Sequence, residues 1–282
     1  MNFSQLKGKA LAAVALAATG VLALSGCGSS SDGESIRIGI KYDQPGLGYQ
    51  DGRDYTGFDT DVARYVAKEL GYSEDQIEWV EAPSANRENM LVNGQVDMIF
   101  ATYSISESRL KTVDFAGPYF YAGQDLLVQQ ENTDITGPDS LAGKNLCSVT
   151  GSTSAKKIQD KYSSTVQLVQ QNSYSDCVVA LNAGMVDAVT TDDIILAGLG
   201  ATRANQGELK LVGNTFTEER YGIGLPKGSD QCADINAAIN KMVETGAWEE
   251  AVAKNVGASG YVYNAELNPP VLDSACATVP AQ

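Results

Sequence analysis

Ile36-Arg37-Ile38-Gly39-Ile40, Ile77-Glu78-Trp79-Val80 and Val96-Asp97-Met98-Ile99-Phe100-Ala101 punctuate the stretch 36–101, and each is short and apolar enough to be a strand. After the first run a Gly- and Pro-containing loop extends through Tyr55, and Gly57-Phe58-Asp59 then opens a helix. Val62, Val66 and Leu70 fall on one face at i, i+4 and i+8, and Gly71 ends the segment. Between the second and third runs, 86–91 reads as a short helix stopped at Gly94. Alternation of strand and helix implies parallel pairing and an α/β layer.

Outward from this stretch there is an echo. Gly94-Gln95-Val96-Asp97-Met98-Ile99 is similar to Gly184-Met185-Val186-Asp187-Ala188-Val189, and each follows a helix (86–91 and 176–182) and leads into a strand. A common helix-Gly-strand turn arising twice would explain it; so would two lobes of the same local topology. The length of 282 residues suits two lobes better than one domain. Leu126-Leu127-Val128 and Gly222-Ile223-Gly224-Leu225 bracket the second unit, so two chain crossings would form a hinge. Helices over 233–244 and 248–254 are expected to pack back on the first lobe, with 269–282 as a loop held by Cys276. The resulting expectation is a first lobe over 36–124 and 223–282, and a second over 125–222.

Apolar residues make up 43% of the chain, enough for packed cores. Net charge is −15, from 20 basic and 35 acidic side chains, a poor basis for binding nucleic acid. Histidine is absent. That removes Ser-His-Asp and Cys-His catalysis and His-based zinc sites, and nothing implies a metal, nucleotide or other cofactor.

The N-terminal 26 residues read as a targeting segment. Lys7 and Lys9 precede an apolar run, Ala10 to Leu24, too short for a standard membrane-spanning helix. Leu24-Ser25-Gly26-Cys27 then resembles the bacterial lipobox, which implies cleavage before Cys27 and acylation of its thiol. Residues 27–35 would be the anchor and a flexible tether. Loss of Lys7 and Lys9 leaves 18 basic against 35 acidic residues, net −17. The expected location is the outer face of the cell membrane, held by lipid.

Cys147, Cys177, Cys232 and Cys276 remain. An even number in an exported protein suggests two disulfides. Of three pairings, Cys147–Cys177 with Cys232–Cys276 is favoured, because the lobe boundaries separate them that way; a metal site is the weaker rival.

Gly57-Phe58-Asp59-Thr60-Asp61-Val62 resembles the signature of the family 3 extracellular solute-binding proteins, the polar-amino-acid receptors of ABC importers. So does Thr102-Tyr103-Ser104-Ile105-Ser106-Glu107-Ser108-Arg109, continuing through Val113-Asp114-Phe115-Ala116-Gly117-Pro118-Tyr119. Gly151-Ser152-Thr153, Val186-Asp187-Ala188 with Asp192, and 221–228 extend the resemblance over about 36–256. It implies a type II periplasmic-binding-protein fold, two mostly parallel α/β lobes closing on one ligand, and points most closely to glutamate/aspartate binders.

The resemblance assigns Arg109 to the ligand α-carboxylate, and a planar guanidinium fork suits that group. The plainer alternative is a surface ion pair with Glu107 or Asp114. Thr102 and Ser104 would add loop contacts. Ser152 and Thr153, at a helix start, would touch a ligand carboxylate, or Ser or Thr there is simply an N-cap. Asp192, just after the expected strand 186–190, would receive the α-ammonium, with Asp193 as helix cap or solvated acid. Lys41 and the Ser84-Ala85-Asn86-Arg87 pattern resemble the two cations that hold a side-chain carboxylate; a solvated strand-end Lys and a helix-surface Arg are the alternatives. Tyr42 and Tyr49 are candidates for an apolar cover, and Phe58 for core.

The reading is a lipid-anchored, monomeric solute-binding protein that captures L-glutamate, with L-aspartate as a second ligand, and delivers it to ABC permease subunits. The alternatives are a binder of glutamine or another polar amino acid, a ligand-sensing subunit, or an enzyme such as a prephenate-type dehydratase on the same fold. No catalysis is expected, since the pocket's one carboxylate is committed to the ammonium.

Overall fold

A computed structural model describes residues 35–278 except Ser163. The expected targeting segment, Cys27 and most of the tether lie outside the described residues.

Ile36–Ile40 (β1) pairs in parallel with Ile77–Glu81 (β4) on one side and Met98–Phe100 (β5) on the other. Between them lie Tyr49–Asp51 (β2), Asp54–Thr56 (β3), Phe58–Glu69 (α1) and Arg87–Val92 (α2). Beyond β5, Glu107–Leu110 (α3) leads into Val113–Ala122 (β6). The second sheet takes Gln124–Gln129 (β7), Asn145–Val149 (β8), Gln167–Gln171 (β9), Ala188–Asp192 (β10) and Leu209–Leu211 (β11). Its helices are Thr153–Tyr162 (α4), Tyr174–Asn182 (α5) and Asp193–Gly200 (α6). Glu219–Pro226 (β12) then returns to the first sheet, followed by Cys232–Glu244 (α7) and Ala247–Val256 (α8).

The sheets have orders β4-β1-β5-β12-β6 and β11-β7-β10-β8-β9. Each has one strand running against the other four: β12 in the first lobe and β7 in the second. These are the strands entered as the chain crosses between lobes, so the mostly parallel layout survives two crossings. The helices after β12 cover the first lobe as expected. Phe58 of α1 meets Trp248 of α8 edge-on, with ring centroids 5.7 Å apart, and Trp248 Nε1 donates to Tyr119 O at 2.9 Å. Phe58 is fully buried, as core.

Strands form in two stretches where none was expected. The loop after β1 contains the β2–β3 hairpin, turning through Asp51-Gly52-Arg53-Asp54 with Gly52 at φ 63°. β6 is ten residues long despite Gly117-Pro118, and a proline inside a run argues against a ladder strand. A bulge absorbs it: Phe120 faces Tyr221 and Ala116 faces Ile223, so three residues of β6 oppose Gly222 alone.

Cys147 of β8 is bonded to Cys177 of α5, and Cys232 of α7 to Cys276. The second bond, with Asn236 donating to Asp273 O and Ala275 O at 2.9 Å, fastens the C-terminal loop to the first lobe. Among the described residues no helix is long and apolar enough to cross a membrane.

Candidate functional site

In parallel α/β sheets, loops that leave the carboxyl ends of the strands converge on one edge, and ligands bind there. Both lobes present that edge to each other. Lys41 follows β1, Ser84 and Arg87 follow β4, and Thr102 and Ser104 follow β5. From the other lobe Ser152 and Thr153 follow β8, Tyr174 follows β9, and Asp192 ends β10. The structure brings Ser84, Arg87, Thr102, Arg109, Ser152, Thr153 and Asp192 together around one small enclosed cavity, with Ser154, Tyr174 and Ile195 completing its wall. Lys41 and Ser104 lie outside that wall; Tyr42 and Tyr49 do not line it either. Tyr42 donates to Trp79 O at 3.0 Å and packs on Tyr55, at the side of the first lobe.

Arg109 is buried, and the alternative of a surface ion pair with Glu107 or Asp114 does not form. Nε donates to Glu88 Oε1 at 3.1 Å, Nη1 to Ser104 O at 2.7 Å, and Nη2 crosses the cleft to Gly151 O at 3.1 Å. A guanidinium has five N–H donors, so one on each Nη remains, the geometry of a carboxylate fork. Arg87, 3% exposed, donates from Nε to Ala82 O at 3.3 Å, and among the described residues no carboxylate pairs with it. Its guanidinium and that of Arg109 both lie over the Tyr103 ring, 5.0 and 4.7 Å from the centroid. Burial and the facing Arg109 both push the Arg87 pKa down. An unpaired buried cation is costly, so this corner is arranged for an anion.

Lys41 is no solvated strand end. It is 3% exposed, bound to Asp43 at 3.1 Å, and lies 5.9 Å from the Tyr174 ring centroid. Burial lowers its pKa against the pull of Asp43. Its charge already has a partner; that of Arg87 does not.

Asp192 occupies the N-cap position of α6 but makes no cap hydrogen bond. Its carboxyl turns inward, receiving Tyr221 OH at 2.6 Å and Ser154 Oγ at 3.5 Å. Burial, then the charge of Glu219, push its pKa up to about 8. The adjacent Asp193 is not solvated: it receives Gly123 N at 3.3 Å and Tyr261 OH at 3.2 Å. Ser152 serves as a cap, its Oγ receiving Ala155 N at 3.0 Å, while also lining the cavity. Thr102 has φ 46°, a left-handed conformation unfavourable for a β-branched residue. Buried Asp59 holds it there by accepting Thr102 N at 2.9 Å, and Tyr119 OH fixes the other carboxylate oxygen at 2.8 Å.

The lobes are closed on each other. Asp43 Oδ2 receives Tyr174 N at 3.0 Å, and Ser175 Oγ donates to Asp43 O at 3.1 Å. Pro45 of the first lobe lies so near α6 that a Cβ on Gly198 would sit 2.1 Å from its carbonyl oxygen. Gly198→Ala is therefore expected to block this closure and weaken every ligand alike, by at least about tenfold, because closing contacts are shared by all ligands. Titration of two different ligands checks it; loss for only one would contradict it.

Tyr174, Glu88 and Glu219 were not anticipated. Tyr174 begins α5 as Arg87 begins α2, but the ninety-residue offset of the Gly94/Gly184 echo pairs Arg87 with Cys177 and gave no signal for it. Glu88 and Glu219 had none either.

Two α/β lobes that bury charged and hydroxyl groups in a shared cleft define a solute-binding protein. The chain belongs to the bacterial extracellular solute-binding proteins, family 3, whose model matches residues 36–258. It is 42% identical to the glutamate-binding protein GluB of Corynebacterium glutamicum over 276 residues, covering 90% of this chain and 92% of that one. It is 37% identical to the ABC transporter glutamine-binding protein GlnH of Bacillus subtilis, covering 79% and 81%. Among solved structures, an ancestral arginine-binding protein bound to glutamine superposes with a TM-score of 0.72 at 32% identity, covering 79% of this chain and 98% of that one. The family is one of binding proteins, not enzymes, and it is extracytoplasmic.

Proposed function

We propose that the protein captures L-glutamate, with L-aspartate as a second ligand, by closing its two lobes, and presents it to an ABC permease. The observation that carries this is Arg87, a buried cation without a carboxylate partner in a cleft that also holds Arg109 and Asp192. In this reading the α-carboxylate meets the two remaining Nη donors of Arg109, the α-ammonium meets Asp192, and the side-chain carboxylate meets Arg87. Ser84, Thr102, Ser104 and the start of α4 complete the shell, with Lys41 a more distant positive charge already balanced by Asp43. Glutamine would leave Arg87 unpaired, and such a mismatch discriminates strongly. Likeness to GluB supports glutamate over the glutamine of GlnH. The lobe limits 36–124 with 223–282, and 125–222, belong to the same proposal, as do monomeric action and anchoring through an acylated Cys27.

The test is calorimetric titration of the mature chain, refolded to remove carried-over ligand, with glutamate, aspartate, glutamine and histidine. Micromolar glutamate binding, about −8 kcal/mol, with glutamine at least about tenfold weaker is the expected result. A preference for glutamine or a basic amino acid would discard the Arg87 assignment.

A further inference from the structure

Tyr261 lies just past α8, outside the residues 36–258 that the family model matches. Its place is fixed by the first lobe. Asn255 of α8 donates to Asp61 of α1 at 2.7 Å. Ser259 Oγ then donates to Val256 O at 2.6 Å and receives Tyr261 N at 3.2 Å. Tyr263 meets Trp248 edge-on, with ring centroids 5.3 Å apart. Further on, Asn268 closes the free edge of β6: its Oδ1 receives Tyr121 N at 3.0 Å and its Nδ2 donates to Tyr121 O at 2.9 Å. The segment from α8 to Cys276 is thus a strap laid along the first lobe.

The Tyr261 hydroxyl leaves that lobe. It donates to Asp193 Oδ2 at 3.2 Å. Asp193 is the first residue of α6 and is fixed from the other side. Its Oδ1 receives Ile194 N at 2.8 Å and Gly123 N at 3.3 Å, and its own N donates to Gly123 O at 2.8 Å. Gly123 stands between β6 and β7, where the chain first crosses between the lobes. Each partner is therefore held by its own side, and the angle between the lobes sets whether their bond can form. Burial raises the Asp193 pKa to about 6, so the carboxylate is ionised at neutral pH. Burial and the charge of Asp193 push the Tyr261 phenol upward, so it keeps its proton. A neutral donor thus meets a charged acceptor, the stronger class of hydrogen bond.

Asp193 directly follows Asp192, so what seats the first turn of α6 also seats the carboxyl facing the cavity. Neither Tyr261 nor Asp193 lines that cavity. Resting on the reading of glutamate capture by lobe closure, we infer that Tyr261 is a positioning residue whose hydroxyl latches the start of α6 to the first lobe on closure. The latch touches no ligand, so it retains every ligand alike. It forms after the ligand has entered, so it acts on escape and not on entry.

The experiment uses the mature chain with Tyr261→Phe, which keeps the ring and removes the hydroxyl. Calorimetry gives the affinities for glutamate and aspartate, and stopped-flow fluorescence gives the rates for glutamate. Both affinities are expected to fall by one factor, about tenfold, the scale of a hydrogen bond to a charged group. Dissociation should quicken by that factor while association holds. In an Asp193→Asn background the amide oxygen still serves Gly123 and Ile194, and the amide N–H faces the Tyr261 oxygen. The same Tyr261→Phe change should then cost only about threefold, because a neutral hydrogen bond is roughly half as strong. Unchanged glutamate affinity, with or without a lower melting temperature, would overturn the inference and leave the glutamate reading standing. So would unequal factors for the two ligands, slower association in place of faster dissociation, or the full loss in the Asn background. A wild-type chain that binds no glutamate would overturn both.

Discussion

Asp192→Asn is expected to weaken glutamate binding roughly 1,000-fold, about 4 kcal/mol, the cost of leaving one member of a buried ion pair without its partner. The side chain keeps its shape: its one oxygen can still receive Tyr221 OH and its amide N–H can go to Ser154 Oγ as acceptor, so the melting temperature should hold or rise. The same residue predicts the pH dependence. In the free protein burial and Glu219 hold Asp192 near 8, so at neutral pH most molecules carry a proton there. The ligand ammonium demands the carboxylate, so binding expels that proton. Affinity should rise with pH, by up to about tenfold per unit below 8, and level off above it. Titration at pH 7 in two buffers of different ionisation enthalpy should show close to one proton released, and none in Asp192→Asn. Affinity flat between pH 6 and 8 in the wild-type protein would contradict the role given to Asp192.

Arg87→Met is expected to cost glutamate about 100-fold or more and to leave glutamine within a few-fold. Methionine fills the stem volume and can still lie against Tyr103, so packing changes less than charge. Lys41→Met should act differently. Lys41 is bound to Asp43, which in turn receives the Tyr174 amide from the opposite lobe. Its loss should loosen closure and weaken glutamate and glutamine together. Both cations resemble positions that hold a side-chain carboxylate in the family, but only Arg87 is left without a carboxylate partner among the described residues.

That difference shows where sequence reasoning ends. The strands β1, β4 and β5 were legible because each is a short apolar run between turn signals. The cleft was legible because the family's motif residues all follow strands. β6 was hidden by Gly117-Pro118, which reads as a break until the bulge opposite Gly222 absorbs it. β2 and β3 are three residues each, too short to show periodicity. Arg109 was identified, but its partner was not: Glu88 stands 21 residues earlier, and only the fold brings its carboxylate to Arg109 Nε. Asp192 was placed after its strand, whereas the strand runs through it, which is why its carboxyl points into the cleft instead of capping α6. Glu219 carried no signal at all. Its burial arises only when β12 returns between the lobes, and an acid before a strand is usually solvated.

In the proposed reading, the Arg87 environment is what divides glutamate from glutamine in this protein. The α-carboxylate and ammonium contacts proposed at Arg109 and Asp192 would serve any amino acid. Discrimination falls on the group that faces the side chain, and a buried guanidinium that lacks an internal acid favours a ligand that brings one.

The most direct test of this account is a crystal structure of the mature chain with L-glutamate. The account predicts the side-chain carboxylate within about 3 Å of the Arg87 guanidinium, the ammonium on Asp192, and the α-carboxylate on the two Nη atoms of Arg109. Glutamate bound with its side chain directed away from Arg87, or with its ammonium remote from Asp192, would contradict it.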